Sequence, residues 1–600
     1  MRSKSDCKGI CLIIFHQKIK FAILVVFLCT SACKPRELED SRTQGLASSA
    51  DTLDGFVADA FRNNRHYMKI LDDGNDALLA RIFLFQNARH QIDVQTFIWD
   101  DDETGRYFFY ELMRAAQRGV HVRILVDGQF ALKNADFVAF IHKNYAPSIE
   151  IRYYNPTGTR IKPNFLQRIL HVLTDFRDFN QRMHNKVIAV DHSMAIVGGR
   201  NIQNAYYERA SGLNFRDRDA FVIGSAADDA TRSFDEFWND VRSVPSNEMN
   251  EVQKRLDEGI RTNLSRRSDF QLNTMFDDID SSLADPEYMV EHLARRLVAV
   301  DQLEFWADKP GKNSSRGLGG GGRLSDKFYS LIKSARRSLL IQSPYFILSD
   351  SAKDLFEELS RHTEIKISTN SLINTDQWLT YSATFKQRRF LLSLNSLSLF
   401  EYMPFPADLR SVAPRYDANR DYYRDSHTPR YSSPDQLIEI PNDLGDDPYL
   451  CIHAKGIVVD DRYAIIGSYN MDPRSANINT EVGIITANPT ISGQLRWLIE
   501  RDMAPRNSWV IGIKQRPFGG REIENIFGNI FEVFPLDLWL LSSSTTFGLA
   551  DAGQVLSPHS PEFYRNYTDL GLFPMMDPLR HKAIMTHMSK VWVENVVPIL

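Results

Sequence analysis

Residues 182–191 read RMHNKVIAVD, and residues 451–460 read CIHAKGIVVD. Both stretches place a lysine two residues after a histidine and an aspartate seven residues after it, as His184, Lys186 and Asp191 and as His453, Lys455 and Asp460. An asparagine follows each histidine at the same offset (201 − 184 equals 470 − 453), at the end of a turn of small residues. Because the whole pattern recurs in the same order, the sequence predicts an internal duplication.

The residues around the motifs predict an α/β fold with two similar halves. Residues 91–99 alternate like a strand, residues 103–118 have helical spacing, and residues 120–126 form a second strand. The same order returns at 338–342, 352–361 and 364–368. This order is typical of βαβ units. We therefore expect two mixed or mostly parallel sheets flanked by helices, with a site at their interface.

Composition and charge limit the possible function classes. Six hundred residues exceed one ordinary domain, and 43% hydrophobic content is ample for large cores. We expect a first domain at 56–300 and a second at 301–500. A net charge of −5 gives no support to a broadly basic, nucleic-acid-binding surface. Four of the five cysteines lie in the amino-terminal segment that ends at Cys33, which excludes a disulfide framework.

The amino end reads as an export signal. Basic residues precede a short apolar run at 21–28, and small residues then lead to Cys33. We interpret 1–33 as a signal peptide of the bacterial lipoprotein type with Cys33 lipidated, and 34–55 as a tether. An uncleaved anchor or a merely apolar leader are the alternatives, although the run is short for a spanning helix. A lipoprotein would be membrane-associated in the bacterial cell envelope and would face the periplasm.

Residues 501–600 are predicted to form a C-terminal helical extension. They include a strongly apolar stretch at 527–541 and an amphipathic one at 581–597. Packing against the core is the simpler interpretation, and contact of exposed parts with lipid is the alternative. The amphipathic segment 165–179, directly before the first motif, has the same two interpretations: it could guide acyl chains, or it could bury one face.

The duplicated motif supplies the groups that phosphodiester cleavage needs. One neutral imidazole can attack phosphorus, while a second, protonated one gives its proton to the leaving oxygen. Each copy supplies one histidine, so the two must meet in a single pocket. Two ammonium groups and two amides would stabilise the charged oxygens, namely Lys186, Lys455, Asn201 and Asn470. No metal-ligand cluster accompanies the motifs, and we expect neither a metal nor another cofactor.

Carboxylates near each motif are candidates to fix the tautomer of a histidine. Asp217 and Glu481 each stand close before an apolar run that reads as a strand. A solvated strand end is the alternative for these acids, and it has most weight for Asp219. Asp191 and Asp460 complete the catalytic motif. A residue one past the end of a strand, however, more often closes the turn by binding backbone amides.

The paired motifs with their asparagine tails resemble the phospholipase D superfamily. Within it, residues 95–105 (QTFIWDDDETG), 182–186 (RMHNK) and 470–475 (NMDPRS) resemble bacterial cardiolipin synthases of the C type. The resemblance runs from about residue 70 to 500 and implies a duplicated phospholipase D fold with its active site between the two halves.

The resemblance also implies a two-step phosphatidyl transfer through a phosphohistidine intermediate. His184 would be the nucleophile, oriented by Asp217, and His453 would act as acid and then as base. The residues alone leave open which histidine attacks. The first copy has Gly199 where the second has Ser468, so a hydroxyl contact to phosphate at Ser468 has no counterpart in the first copy.

The leading interpretation is a membrane-associated phosphatidyltransferase. It would make cardiolipin from phosphatidylglycerol and a second phospholipid or alcohol acceptor, with phosphatidylethanolamine as a further candidate substrate. With water as acceptor, the same centre would be a phospholipase D. A nuclease is the second class, but the acidic composition and the export signal disfavour a nucleic-acid partner. A non-catalytic lipid-binding protein is the third, and the two intact triplets disfavour it.

Overall fold

Two large β-sheets, one from each half of the chain, form the framework of the protein. The computed structural model describes residues 47–162, 179–272, 274–312, 319–426, 444–445, 447–515, 543–576 and 586. Within these residues, the main helices span Ala47–Asn63, Gly74–Asn87, Glu103–Gln117, Ala135–Tyr145, Ser225–Trp238, Asn250–Glu258, Asp277–Leu283, Arg323–Lys333, Asp350–Leu359, Trp378–Ser393, Tyr416–Ser426 and Pro489–Met503. Shorter helical turns span Pro286–Met289, Leu409–Val412, Pro473–Asn477 and Phe563–Asn566.

The first sheet has the strand order β10-β1-β8-β6-β5-β2-β3-β4-β9. Its strands are β1 (His66–Leu71), β2 (Gln91–Thr96), β3 (His121–Asp127), β4 (Ile149–Tyr154), β5 (Val187–Val190), β6 (Met194–Gly198), β8 (Asp219–Ile223), β9 (Ser243–Pro245) and β10 (Val298–Val300). A separate strand, β7 (Leu213–Arg216), lies outside this sheet.

The second sheet has the strand order β11-β18-β17-β16-β12-β13-β14-β19-β20-β21. Its strands are β11 (Leu303–Ala307), β12 (Ser338–Gln342), β13 (Glu364–Asn370), β14 (Leu397–Tyr402), β16 (Gly456–Val459), β17 (Tyr463–Gly467), β18 (Val482–Thr486), β19 (Ser508–Ile513), β20 (Ser544–Leu549) and β21 (Tyr567–Gly571). The remaining strand, β15 (Tyr449–Ile452), pairs in parallel with β7 of the first half.

The strand orders confirm the predicted duplication. The run β1-β8-β6-β5-β2-β3-β4-β9 in the first sheet corresponds, position by position, to β11-β18-β17-β16-β12-β13-β14-β19 in the second. Strand β10 is added at one edge of the first sheet, and β20 and β21 are added at the opposite edge of the second. The chain passes from the first sheet to the second between Val300 and Leu303.

Both sheets are mixed, and parallel pairing is limited to one stretch of each. The parallel pairs are β2-β3-β4 and β12-β13-β14, while every other pair within the two sheets is antiparallel. The expectation of mostly parallel sheets therefore applies only to the βαβ portions. The motif strands β5 and β16 instead turn back at once as hairpins with β6 and β17, which forces antiparallel pairing.

The two sheets pack against each other through an apolar layer between the motif strands. Val187 and Ala189 on β5 and Val197 on β6 belong to one buried cluster with Val458 on β16 and Ile466 on β17. Each half also has its own core on the outer side of its sheet. Burial of this shared layer fixes the position of one histidine motif relative to the other.

Two boundary predictions are wrong for the described residues. The helix Ala47–Asn63 begins inside the expected tether at 34–55, because Leu53, Val57 and Ala60 form an apolar stripe that packs on the first core. The expected helical extension at 501–600 instead contains β19, β20 and β21 in its described part. Residues 544–549 (STTFGL) carry threonines and a phenylalanine, which favour strands.

Some predictions concern residues that the structure does not describe. The signal segment 1–33 with Cys33, the stretch 527–541, and the segments 165–179 and 581–597, apart from residues 179 and 586, lie outside the described residues. Among the helices that are described, none has the length and apolar character of a membrane span.

Candidate active site

The backbone around His184 is held by a segment from the other half of the chain. The His184 amide donates to the carbonyl of Thr480 at 3.0 Å, and the Thr480 amide donates to the carbonyl of Arg182 at 3.0 Å. This short parallel bridge ends one residue before Glu481. The first motif is therefore aligned with the segment that leads into β18.

The second motif is held in the same way by the first half. Strand β15, which leads to His453, pairs with β7, which leads to Asp217. The His453 amide donates to the carbonyl of Arg216 at 2.7 Å. The Arg216 guanidinium is itself fixed by the carboxylates of Asp72 and Asp502, at 2.7 and 3.2 Å. The backbone that carries His453 is thus anchored on a buried ion-pair cluster.

Each histidine is oriented by a carboxylate from the opposite half. Nδ1 of His184 lies 2.9 Å from Glu481 Oε2, and Nδ1 of His453 lies 2.6 Å from Asp217 Oδ2. The prediction that Asp217 orients His184 is therefore wrong. Because the motif and acid segments pair across the interface, each acid meets the histidine of the other copy. A proton on Nδ1 that faces a carboxylate leaves the lone pair on Nε2.

The two motif lysines lie against their own histidines. The Lys186 ammonium donates to the carbonyl of His184 at 2.7 Å and lies 5.1 Å from the centre of the Phe97 ring. The Lys455 ammonium donates to the carbonyl of His453 and lies 2.7 Å from its Nδ1. Strands β5 and β16 start one residue after each lysine, so the histidine and lysine of each motif lie in irregular backbone just before the strand begins.

Burial controls the protonation of this site. Desolvation, helped by the charges of Lys186 and Lys455, lowers the pKa of His184 well below its ordinary value. Desolvation and the same two lysines lower the pKa of His453 well below its ordinary value, and the charge of His184 contributes. Desolvation also lowers the pKa of both lysines. The lysine of the other half therefore acts on each histidine as well as its own lysine does, as expected of a site that binds an anion.

The two carboxylates have raised pKa values for the same reason. Desolvation raises the pKa of Glu481 to about 7 and that of Asp217 to about 6, although the nearby lysines oppose the shift. Each histidine is thus paired with a buried carboxyl group that gains or loses its proton near neutral pH, as acid–base chemistry requires.

The surroundings of the two carboxylates differ. Ser468 and Ser475 both donate hydroxyl hydrogen bonds to Glu481, the second at 2.8 Å. In the first copy, a Cβ on Gly199 would lie only 2.4 Å from an Asp217 oxygen, so no serine fits there. The Ser468 hydroxyl therefore donates to the carboxylate and supports it, and the contact to phosphate at Ser468 stays a prediction.

The two motif asparagines also differ. Both ends of the Asn201 amide are engaged, because Oδ1 accepts from the Ile98 amide at 3.1 Å and Nδ2 donates to the Tyr206 hydroxyl at 2.8 Å. The Asn470 backbone amide donates to the Ser475 hydroxyl, and Oδ1 of its buried side chain meets no partner within the described residues. The Asn201 amide therefore holds the Tyr206 hydroxyl, whereas the Asn470 side chain has an acceptor oxygen that is unused within the described residues.

The last acid of each motif closes a turn away from the histidines. Asp191 accepts from the amides of residues 89–91, and Asp460 accepts from those of residues 336–338. Both have left-handed backbone, with φ of 51° and 54°. Their place in the catalytic set is therefore wrong, and the turn-closing interpretation is correct. Asp219 is not solvated either, because Arg81 and Arg200 both pair with it at 2.8 Å.

Tyr206 is a site residue that the sequence analysis missed. Its hydroxyl lies 3.3 Å from Nε2 of His453, and its ring packs edge-on to the imidazole. Its position shortly after Asn201 was the one available signal, but a tyrosine within an apolar stretch is commonly a core residue. Thr480 was missed as well, because it acts through its backbone.

The described residues contain no cluster of three or more histidine, cysteine, aspartate or glutamate side chains suited to a metal ion. The cations that act most strongly on the two histidines are the motif lysines, and Arg474 and Arg200 add smaller effects on His184 and His453. Phosphodiester charge would be stabilised by Lys186 and Lys455.

Comparisons with known proteins match this architecture. The family described as cardiolipin synthase, PLD-like domain, matches residues 82–238 and 328–503, which contain both motifs. An uncharacterized protein of Helicobacter pylori is 31% identical over 458 residues, covering 74% of this chain and 81% of that protein. Cardiolipin synthase C of Escherichia coli is 28% identical over 458 residues, covering 73% of this chain and 88% of that protein.

Among solved structures, a phosphatidylserine synthase of Haemophilus influenzae matches with a TM-score of 0.48 and 16% sequence identity. The match covers 79% of this chain and 98% of that one. The family match covers more than half of the chain and includes both halves of the site. The chain therefore belongs to the cardiolipin synthase, PLD-like family of the phospholipase D superfamily.

Proposed function

We propose that this protein is a phosphatidyltransferase that makes cardiolipin from phosphatidylglycerol and a second phospholipid or alcohol acceptor. The observation that carries the proposal is the crossed pair of contacts, His184 with Glu481 and His453 with Asp217, beside two buried lysines. This arrangement supplies a nucleophile, a proton donor and cationic stabilisation on one phosphorus atom.

The first step forms a phosphohistidine. Nε2 of His184 attacks phosphorus, and the bond from phosphorus to the glycerol headgroup oxygen breaks. Nε2 of His453 gives its proton to that oxygen, so free glycerol leaves. The ammonium groups of Lys186 and Lys455 hold the phosphodiester charge. Burial lowers the pKa of both lysines, and the bound anion favours their charged forms.

The second step reverses the roles of the same groups. A hydroxyl of the second lipid's headgroup attacks phosphorus, and Nε2 of His453 takes its proton. The bond from phosphorus to Nε2 of His184 breaks, which releases cardiolipin and restores the enzyme. One phosphorus–oxygen bond is exchanged for another, so neither an oxidant nor a nucleotide is needed.

The substrate class rests on the relatives as well as on the site. A relative that spans most of this chain carries the name cardiolipin synthase C. The pocket offers two buried cations and two histidine–carboxylate pairs, which suit a phosphodiester between two alcohols. Phosphatidylethanolamine is a second candidate substrate, because its phosphodiester is the same.

The test is to incubate the purified protein with detergent-dispersed phosphatidylglycerol, with and without phosphatidylethanolamine, and to identify the lipids by mass spectrometry. We expect cardiolipin and free glycerol, and no product from a variant that combines His184→Ala with His453→Ala. Parallel reactions with labelled single-stranded DNA test the nuclease alternative. Full activity in the double variant would contradict the proposal.

We also propose that the protein is a periplasm-facing lipoprotein of the cell envelope, with Cys33 lipidated after removal of the preceding residues. The support is the order of basic, apolar and small residues before Cys33. Labelling cells with a fatty acid tests this. Cys33→Ser should abolish incorporation, while Cys29→Ser, in the same segment, should leave it unchanged. Labelled protein in the Cys33→Ser variant would contradict the proposal.

A further inference from the structure

The Tyr206 hydroxyl occupies the side of His453 on which the proposed reaction takes place. It lies 3.3 Å from Nε2, while Nδ1 of the same ring faces Asp217 at 2.6 Å. The side chain is 2% exposed, and burial raises its pKa well above its ordinary value, so it remains a protonated phenol. With the Asn201 amide donating to its oxygen, the phenol donates its proton toward Nε2 whenever that nitrogen is unprotonated, as it is when His453 acts as the base of the second step.

The position of Tyr206 is fixed by the segment 102–105. Tyr206 belongs to the short 3-10 helix Asn204–Tyr207, and the amide of Asn204 donates to the Asp102 carboxylate at 2.5 Å. The Asn204 side chain in turn accepts from the amide of Thr104 at 2.9 Å. The ring stacks on Phe215 with centroids 4.5 Å apart. A group that is held from three sides in this way has a defined position before substrate binds.

The second copy has no equivalent of this hydroxyl. The residue that corresponds to Tyr206 is Ser475, since 475 − 206 equals 453 − 184, and its hydroxyl reaches Glu481 rather than an imidazole. Among the described residues, none lies within hydrogen-bond distance of Nε2 of His184. The duplicated site is therefore asymmetric: no described residue hydrogen-bonds to Nε2 of His184, whereas Nε2 of His453 lies 3.3 Å from the Tyr206 hydroxyl and 3.2 Å from the Lys455 ammonium.

We propose that the Tyr206 hydroxyl occupies the water position beside Nε2 of His453, and so makes the enzyme transfer the phosphatidyl group rather than hydrolyse it. This inference rests on the proposed function. A lipid acceptor is bound by the rest of its structure, so its hydroxyl can compete with the fixed phenol for Nε2, whose contact with the phenol is long at 3.3 Å. Water brings no such binding energy, so it competes poorly for the same place.

The competing reaction is a balanced hydrolysis. A water oxygen forms the new bond to phosphorus, the bond from phosphorus to Nε2 of His184 breaks, and Nε2 of His453 takes a proton from the water. The products are phosphatidate and the free enzyme. In Tyr206→Phe, the Asn201 amide and Nε2 of His453 both lose their shared partner. A water that approaches Nε2 from the side of the phosphorus atom is then no longer excluded by the phenol and can donate to Nε2, which positions it for attack.

The experiment measures the ratio of phosphatidate to cardiolipin that the full-length protein forms from phosphatidylglycerol in detergent micelles. We expect the ratio to rise at least about fivefold in Tyr206→Phe, with the new phosphatidate oxygen derived from oxygen-18 water. The matched control is Tyr207→Phe, the same change at the next residue. The Tyr207 hydroxyl is buried without a hydrogen-bond partner in the described structure, so the ratio should not change. Tyr206→Met removes the hydroxyl in a second way and should give the same result.

The outcomes separate this inference from the proposed function. If the wild type makes cardiolipin and the ratio stays within about twofold in both Tyr206 variants, the inference is wrong and the transferase remains. An equal rise in Tyr207→Phe would also overturn it, because the effect would then come from loosened packing. If the wild type makes no cardiolipin, the proposed function fails and this inference fails with it.

Discussion

Replacing Glu481 by glutamine should remove activity and stabilise the protein. The side chain is fully buried and accepts hydrogen bonds from His184, Ser468 and Ser475. Glutamine has nearly the same shape and keeps one acceptor oxygen, but it carries no charge. It therefore separates the electrostatic role of the carboxylate from its packing.

The gain in stability follows from the raised pKa of Glu481. Burial raises that pKa from 4.5 to about 7, and each pKa unit corresponds to about 1.4 kcal/mol, which gives roughly 3 kcal/mol. Below pH 4.5 the carboxyl is protonated in both the folded and the unfolded state, so the group has no such cost. As the pH rises from 4.5 through about 7, the folded state loses this stability. The glutamine variant does not lose it.

Thermal unfolding at pH 5 and at pH 8 measures this effect. The melting temperature of Glu481→Gln should exceed that of the wild type at pH 8 by more than it does at pH 5. Turnover should fall by about 10²–10⁴-fold, because His184 loses the anion that fixes its tautomer and supports its positive charge. Glu304→Gln, the same change at a half-exposed position, should alter neither property.

Two results would refute this reasoning. A variant that is less stable than the wild type at pH 8 would mean that the three hydrogen bonds outweigh the cost of burying the charge. Turnover within about tenfold of the wild type would mean that Glu481 does not orient a reacting histidine.

Four further predictions concern the same groups. His184→Ala and His453→Ala should each reduce turnover by at least about 10³-fold in the lipid assay, because nucleophile and acid act as one unit. The plot of kcat/KM against pH should peak between about pH 6 and 7. At lower pH, Glu481 becomes protonated and His184 loses its hydrogen-bond acceptor. At higher pH, the proton shared by His453 and Asp217 is lost, which removes the general acid. Exhaustive dialysis against a chelator should leave turnover unchanged, since lysines supply the cations. Asp460→Ala should lower stability by about 1–2 kcal/mol, measured by urea unfolding, with kcat retained, because the carboxylate accepts from three backbone amides rather than from substrate.

The sequence predicts the two halves of the fold because local signals are strong there. The helix expected at 103–118 spans Glu103–Gln117, and the expected strand at 338–342 is β12. The predictions from sequence fail where the pairing of one strand with another decides the structure. The strands at 508–513 and 544–549 form because they can pair along an edge of the second sheet, and the local sequence does not indicate that this edge exists.

The candidate site could be predicted only as a set of residue types. Two histidines, two lysines and two acids are apparent from spacing, and the structure brings them together. Their pairing could not be read from the sequence, because Asp217 is close to His184 along the chain but 236 residues from His453, its actual partner. Proximity along the chain favours the wrong partner. Tyr206 was hidden for a related reason, since its contact also crosses between the halves.

The crossed contacts make each half of the chain incomplete without the other. The first half supplies His184 but depends on Glu481 and the Thr480 carbonyl for its orientation, and the second half supplies His453 but depends on Asp217. A simple face-to-face pairing of two self-sufficient motifs would tolerate a change in their separation. Here a small shift between the halves would break both histidine–carboxylate pairs together. The apolar layer between the sheets is therefore as necessary to the proposed chemistry as the histidines are, because it is what keeps both pairs formed.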